Sequence, residues 1–367
     1  MNILIIADPL DLHADAVNWG LAKLGYTVTV WNWADFPIFD SGVFEINRNA
    51  QKYTMTNLGQ RNSSHFDVIW VRRKETSTPF TDCHIDDREM VLKESAIFLE
   101  SVLPYLGHDD TKWINDIEAD RFAGNKINQI CLAKKVGFAV PDTLLGNDYE
   151  RIKKFFDEHE GQVIFKSFSP KMWLNDDGSS TVQRTSQINQ TQILNDYAIR
   201  ACPGIYQKLI EKKYELRITV IGETVIPAKL DSQKFGATVD WRYDTDGGKE
   251  TLTTTTIPRD IAEKCRLFCK EMKLNFGAFD FIVTKNDEYY FLEVNPAGQF
   301  LWIETYDPSI RLLDEFCRFV VSHDPKFISG TGEKLTLQNY EISDHRKIQR
   351  EKFREASRRL KLNGSGK

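Results

Sequence analysis

Two acids and an amide, Asp280, Glu293 and Asn295, are the residues whose types and spacing could do chemistry. They lie in FGAFDFIVTKNDEYYFLEVNPAGQFLWIE, residues 276–304. Two β-rich runs, 277–284 and 288–294, flank Lys285-Asn286-Asp287, a polar interruption that predicts a tight hairpin. Folding back across that turn brings Asp280 to face Glu293, and Asn295, two residues on, shares Glu293's face of the extended chain. Two carboxylates and an amide oxygen are hard ligands that suit Mg²⁺, an ion that keeps several waters and completes its shell with substrate phosphates. Most acid pairs on hairpins are simply solvated. Here Asp280 sits between Phe279 and Phe281, and Glu293 between Leu292 and Val294, where a carboxylate is costly unless a cation or partner compensates it.

Cations precede this hairpin in an order that has its own logic. Lys126 follows Asn125 near the start of a helix predicted within 116–142, which carries Ile127, Ile130, Leu132 and Ala133 on an apolar face and stops at Gly137. Lys166 interrupts the short apolar strand VIFKS, 163–167, and needs something negative to meet it. The segment SFSPKMWLNDDGSSTVQRT then supplies a small-residue turn at Gly178, Ser179 and Ser180, whose backbone N–H groups could cover phosphates. Arg217 lies in ELRITVI, 215–221, the first arm of a second hairpin that turns at Gly222-Glu223 into 224–230. Two phosphate-directed lysines, a loop and a metal triad describe a nucleoside triphosphate held by point charges and Mg²⁺. No G-x-x-x-x-G-K-[ST] P-loop is present.

The elements that must position these groups begin with a strand at 3–7, a helix at 14–24 closed by Gly25, and a strand at 27–31, the pattern of a parallel α/β sheet. No G-x-G-x-x-G follows the first strand, so a dinucleotide site is not supported. DVIWVRR, 67–73, is a further strand ending in Arg72 and Arg73, where open α/β domains place ligand contacts. These arginines either meet a carboxylate or phosphate or form a solvated basic edge. Residues 205–210 are strand-like, 231–259 form a polar loop with DSQ, DWR and a Thr run at 253–256, and helices follow at 259–272 and 310–321. From Gly330 a charged tail reads as a solvated terminal helix or a contact for an acidic partner; its last residues, NGSGK, read as an added linker.

Composition sets the bounds. With 367 residues, two or three domains are expected, and 41% hydrophobic with 28% charged residues is ordinary for a soluble globular chain. A net charge of -5 gives no reason to expect nucleic-acid or membrane binding. The start, MNILIIADPLDL, reads as a buried strand rather than a signal peptide, and no apolar run of about 18 residues exists to span a bilayer. Six cysteines lack metal-site or disulfide spacing, and Cys265 and Cys269 fall at i,i+4 in a helix core, so a reduced cytoplasmic protein is expected. No Ser-His-Asp or Cys-His constellation is evident.

Taken together, Asn125-Lys126, Lys166 in VIFKS, Gln207 to Ile210, Glu215-Leu216-Arg217, and Asp280 with Glu293-Val294-Asn295 resemble the ATP-grasp ligases over roughly residues 1–325. IWVRR at 69–73, DSQ at 231–233, DWR at 240–242 and NPAGQFLWIE at 295–304 narrow the resemblance to the graspetide, or microviridin-type, peptide maturases. The resemblance implies an α/β (α+β) ATP-grasp fold: a Rossmann-like pre-ATP-grasp domain at 1–115 and two α+β domains, 116–203 and 204–328, sandwiching ATP, then the charged tail 329–367. It implies that Lys126 and Lys166 contact ATP phosphates, and that the 207–210 segment (Gln207, Lys208, Leu209, Ile210) binds adenine through backbone at Lys208 and Ile210. Glu211 or Glu215 would hold the ribose, Asp280, Glu293 and Asn295 would hold Mg²⁺, and Arg217 would meet the γ-phosphate. Arg72, Arg73, Asp231 and Arg242 would face the carboxylate to be phosphorylated, with Arg242 also assisting catalysis. The implied reaction phosphorylates Asp or Glu side chains of a ribosomal precursor peptide, a leader plus an acidic, Thr-rich core, and closes ω-ester or ω-amide crosslinks. A homodimer is expected, without nucleic-acid or membrane partners. Two other readings stand beside it: an amino-acid or peptide ligase of the glutamate-ligase or glutathione-synthase kind, and a non-catalytic nucleotide-binding regulator.

Overall fold

The computed structural model describes residues 1–8, 10–48, 51–61, 66–74, 83–169, 172–174, 180–235, 252–322, 327 and 335–352. Its first strand, β1 (Ile3–Ile6), is buried at every position, as the centre of a parallel sheet covered on both faces requires. Helix α1 (Leu12–Lys23) follows, opened by Asp11, whose side chain accepts from Ala14 N, and released at Gly25, whose φ of 86° suits a residue without Cβ. Strand β2 (Val28–Trp31) returns parallel to β1. The chain then inserts an antiparallel sheet of β3 (Gly42–Ile46), β4 (Gln51–Met55) and β5 (Gly59–Arg61). β6 (Val68–Val71), α2 (Arg88–Val102) and β7 (Lys112–Ile114) complete a parallel sheet in the order β2-β1-β6-β7.

The segment expected as one helix over 116–142 is two. Asn125 ends α3 (Ile117–Gly124) and, with extended backbone, caps α4 (Lys126–Lys135), its side chain accepting from Ile127 N and Asn128 N. The cap rotates the second helix, so Ile127, expected on the apolar face, is exposed while Gln129 and Ala133 are buried. After α4 come β8 (Thr143–Gly146), α5 (Tyr149–Glu158) and β9 (Val163–Lys166), then the hairpin β10 (Met172–Leu174) and β11 (Ser180–Val182). The loop expected over Gly178 and Ser179 falls outside the described residues, and Ser180 opens β11. β12 (Ser186–Gln187), α6 (Gln190–Ile193), α7 (Asp196–Ala201) and β13 (Gly204–Lys208) close a sheet ordered β12-β9-β13-β8.

The remaining sheet carries the site. It comprises β14 (Tyr214–Ile221), β15 (Thr224–Leu230) and β16 (Leu252–Thr254), then, after α8 (Arg259–Met272), β17 (Phe276–Val283) and β18 (Tyr289–Asn295), in the order β16-β15-β14-β17-β18. Part of the polar 231–259 stretch, Leu252–Thr254, is thus an edge strand rather than loop. Side chains sort onto two faces of this sheet, by alternation except at one irregularity in β18. Leu216, Ile218, Phe279, Phe281, Phe291 and Val294 pack with Phe268 and Cys265 of α8, whereas Arg217, Asp280, Glu293 and Asn295 occupy the opposite face.

Short helices α9 (Leu301–Tyr306), α10 (Leu312–Val321) and α11 (Leu337–Glu341) join the first parallel sheet to this one through a shared core that includes Trp70, Phe276, Phe300 and Phe316. The start of the charged tail is anchored in it, while Lys347, Arg350 and Lys352 further on lie exposed on a helical stretch. Leu335, Leu337 and Tyr340 are buried, Tyr340 Oη donates to Asp15 at 2.5 Å, and Glu304 accepts from Leu337 N at 2.7 Å. Among the described residues, no helix is long and apolar enough to cross a membrane, and the six cysteines are free.

Candidate active site

The hairpin brings Asp280 opposite Glu293, but not by plain alternation. A turn closed by Thr284 and Glu288, with Asp287 at φ 60°, would put Asp280 opposite Leu292. A β-bulge between Asp280 and Phe281 shifts the register, so that Phe281 pairs with Phe291 while Asp280 pairs with Glu293. The extra residue, Leu292, lets Phe291 and Val294 share one core while Glu293 and Asn295 emerge on the other face. Asn295 Nδ2 lies 3.4 Å from Asp280 Oδ2 and 3.5 Å from Glu293 Oε1, so the three groups converge.

Each carboxylate already holds a cation. Arg217, directly across from Asp280 on β14, donates from Nη1 to both Asp280 oxygens at 2.7 and 2.8 Å, and from Nη2 to Gln299 O at 2.9 Å. Lys126 Nζ meets Glu293 Oε2 at 2.7 Å. Burial works to raise the Glu293 pKa, but the charges of Lys126, Lys166 and Arg217 overcome it and hold it at about 2. Lys166, on β9, is therefore drawn to the same locus. No trio of His, Cys, Asp or Glu suited to a metal occurs among the described residues. Two carboxylates with an amide as third donor nonetheless fit Mg²⁺, an oxygen-seeking ion that leaves part of its shell to water and phosphate.

A pH consequence follows. A carboxylate whose pKa is depressed in the folded protein contributes stability that is present above its unfolded pKa, near 4.5, and lost as pH falls toward about 2. Lys126→Met weakens that depression. The stability gap between wild type and this variant, measured by urea unfolding, is expected to be widest near neutrality and to narrow below about pH 4.5. A gap independent of pH would remove the ion pair as its cause.

Other expected residues fall in several places. Gln207 is buried, with Nε2 on Thr143 Oγ1 at 3.0 Å, and the Lys208 N–H donates to Asp142 O at 2.9 Å. Leu209 N–H bonds Gln162 O, and Leu209 and Ile210 are half-buried. Glu215 shares Arg217's face, bonded to Lys212 and Ser232, and burial raises its pKa, whereas Glu211 is exposed beside Lys285. Asp231 lies 3.7 Å from Lys229. Arg73 is exposed, but Arg72, expected to face substrate, is 2% exposed and is held inside the protein by Ala297 O at 2.7 Å and Asp11 at 3.3 Å. Arg242 lies outside the described residues.

The supports of the site were not visible as motifs. Gln129 acts as a side-chain rung on the edge of β18, accepting from Val294 N at 3.0 Å and donating to Val294 O at 2.9 Å, which sets α4 and hence Lys126 over Glu293. Asn115 is satisfied on both atoms, donating to Phe276 O and Pro296 O and accepting from Asn275 N and Phe276 N. His13 Nε2 accepts from Phe300 N at 3.0 Å and Leu301 N at 3.2 Å. Asn115 and His13 thus grip the loop that leaves Asn295, while Gln129 fixes the strand before it. An exposed-looking His-Ala-Asp helix start and an Asn after a strand gave no signal of this.

Comparison with known proteins identifies the family of this chain. The RimK-like ATP-grasp domain matches residues 123–311, which span Lys126, Lys166, Arg217 and the triad. A RiPP-associated ATP-grasp ligase of Chryseobacterium gregarium, solved with ADP and a leader and core peptide, superposes with a TM-score of 0.77 at 26% identity, over 87% of this chain and 96% of that one. The macrocyclase MdnB of Microcystis aeruginosa MRC gives 0.72 at 25% identity, over 87% and 99%. The macrocyclase MdnC of the same organism, bound with precursor peptide MdnA, shares the fold at 0.76 and 24% identity, over 88% and 100%. No protein with a curated description matches the sequence. A domain match over more than half of the chain decides the matter of kinship: this protein belongs to the RimK-like ATP-grasp family and is an ATP-dependent ligase.

Proposed function

We propose that this ligase phosphorylates Asp or Glu side chains of a ribosomally made precursor peptide and joins them to Ser, Thr or Lys side chains of the same peptide. The observation that carries the peptide substrate is likeness along nearly the whole length of a ligase solved with a leader and core peptide, rather than over the nucleotide-binding region alone. In this reading a peptide carboxylate oxygen attacks the γ-phosphorus of ATP, ADP leaves, and an acyl phosphate forms. A hydroxyl or amine then displaces phosphate and gives up its proton, so that each ω-ester or ω-amide removes one water from the peptide. The chemistry is chiefly positioning and charge neutralisation. Lys126 and Lys166 hold phosphates, Arg217 the γ-phosphate, Asp280, Glu293 and Asn295 the Mg²⁺ that neutralises phosphate charge, and the backbone of 207–210 the adenine. Glu215 or Glu211 meets the ribose, and Arg73, Asp231 and Arg242 face the peptide. A cytoplasmic homodimer is the expected setting.

Mass spectrometry of an acidic precursor peptide incubated with ATP, Mg²⁺ and enzyme is the test. Loss of one water per linkage supports the reading, and hydroxylamine separates esters, which open, from amides, which resist. Arg73→Ala and Arg242→Ala are expected to keep nucleotide binding and stop coupling, with lysine a poor substitute for bidentate arginine. Consumption of a free amino acid, with no peptide losing water, would replace this reading with that of a small-molecule ligase.

A further inference from the structure

One peptide group links the first domain to the catalytic arginine. The carbonyl between Gln299 and Phe300 accepts from Arg217 Nη2 at 2.9 Å, and the N–H of that same group donates to His13 Nε2 at 3.0 Å. A trans peptide is planar and points its C=O and N–H in opposite directions, so His13 and Arg217 are fixed on opposite sides of one rigid plate. An acceptor at the N–H also polarises the group and makes its oxygen a better acceptor for the guanidinium.

We infer that His13 is a positioning residue that sets the Gln299–Phe300 peptide and, through it, aims Arg217 at the γ-phosphate of ATP. The inference rests on the γ-phosphate role of Arg217 in the reading above. Three observations support it. His13 is 5% exposed and its Nε2 also takes Leu301 N at 3.2 Å, so the ring is held in the tautomer with its proton on Nδ1, the atom facing Asp11. Burial and the neighbouring Arg72 lower its pKa to about 3, which keeps the Nε2 lone pair available at any working pH. The plate has no slack on its other side, because a Cβ on Gly298 would stand 3.0 Å from Arg217 Nη2 and 2.8 Å from the Ala278 Cβ. Arg72 on Ala297 O and Asn115 on Pro296 O hold the preceding residues of the loop; at this peptide the carbonyl also accepts from Trp302 Nε1 at 3.2 Å, three residues on in the same turn, and His13 is the acceptor that holds its N–H.

Direct binding tests this without any peptide substrate. Affinities for Mg·ADP and for Mg·AMPPNP, a non-hydrolysable triphosphate, are measured by calorimetry on the full chain. Their ratio reports the contact made to the γ-phosphate. His13→Phe keeps an aromatic ring but no acceptor, and is expected to cut the preference for the triphosphate about tenfold with ADP affinity unchanged. His13→Gln, whose side-chain oxygen reaches the place of Nε2, is expected to restore it. In an Arg217→Met background the His13→Phe change is expected to have no further effect on the ratio, since both act through one contact. Equal weakening of both nucleotides, an unaltered ratio in His13→Phe, failure of Gln to restore it, or additive effects with Arg217→Met would each overturn the inference. A wild-type protein that binds both nucleotides equally would remove the γ-phosphate role of Arg217 and this inference with it. The peptide-substrate reading would be untouched by that result, as it fails only by mass spectrometry.

Discussion

Exchanging Asp280 for Asn together with Glu293 for Gln is expected to lower Mg²⁺-dependent ATP turnover by at least about a thousandfold. Both changes keep side-chain volume and remove only charge, so the hairpin and its bulge have no steric reason to rearrange. Their effect on stability differs from that of an ordinary surface pair. Arg217 keeps only 10% of its side-chain surface exposed, and without Asp280 its guanidinium is left in the sheet with no carboxylate. Breaking such a pair from one side costs about 3 kcal/mol, and Lys126, with 22% exposure, adds less because water reaches it. The companion variant Asp280→Asn with Arg217→Met removes both partners at once. It is expected to recover much of that stability in urea unfolding while remaining inactive. Turnover within tenfold of wild type in the double carboxylate variant would show that the ion is held elsewhere.

The contrast between these residues explains what was legible in the sequence. Asp280, Glu293 and Arg217 were legible because a charge inside an apolar strand has few cheap explanations. The facing of Asp280 and Glu293 was correctly expected, yet the device behind it, the bulge at Leu292, was not. The run Phe291-Leu292-Glu293-Val294 held its trace: Phe and Val three apart cannot share a face of a regular strand. Helices α3 and α4 look like one in the sequence because a single Asn125 between helix formers does not show that it caps the second of two. The many lysines and arginines of the tail mark its exposed helical part, but Leu335, Leu337 and Tyr340, which precede most of them, supply an anchor that the charge pattern hides. Gln129, Asn115 and His13 carry no sequence signal of their role. Each bonds to backbone more than 150 residues away in sequence, and a backbone N–H or C=O has no letter.

Arg217→Met is expected to move two measurements in opposite directions. Turnover falls about a hundredfold or more, as for other sites that lose one fixed positive group from a developing charge. Mg²⁺ binding in the absence of nucleotide, followed by calorimetry, becomes tighter by about tenfold. The second effect follows from the geometry of the site, where both Asp280 oxygens accept from Arg217 Nη1 and Glu293 accepts from Lys126. An ion arriving alone must displace a guanidinium and an ammonium from the ligands it needs. An ion arriving with phosphates brings the anions to which those two cations can move, and Arg217 Nε, buried with no hydrogen-bond partner among the described residues, is a donor that such an anion would satisfy. The same exchange would therefore disfavour free Mg²⁺ and favour Mg²⁺ with nucleotide, a coupling that must be reciprocal between the two ligands. Lys126→Met, acting on Glu293 alone and at a wetter position, is expected to tighten binding of the free ion by less. If Arg217→Met leaves Mg²⁺ affinity where it was, Asp280 is not a ligand of the ion; if it tightens the ion but spares turnover, Arg217 serves only to keep Asp280 neutralised until ATP arrives.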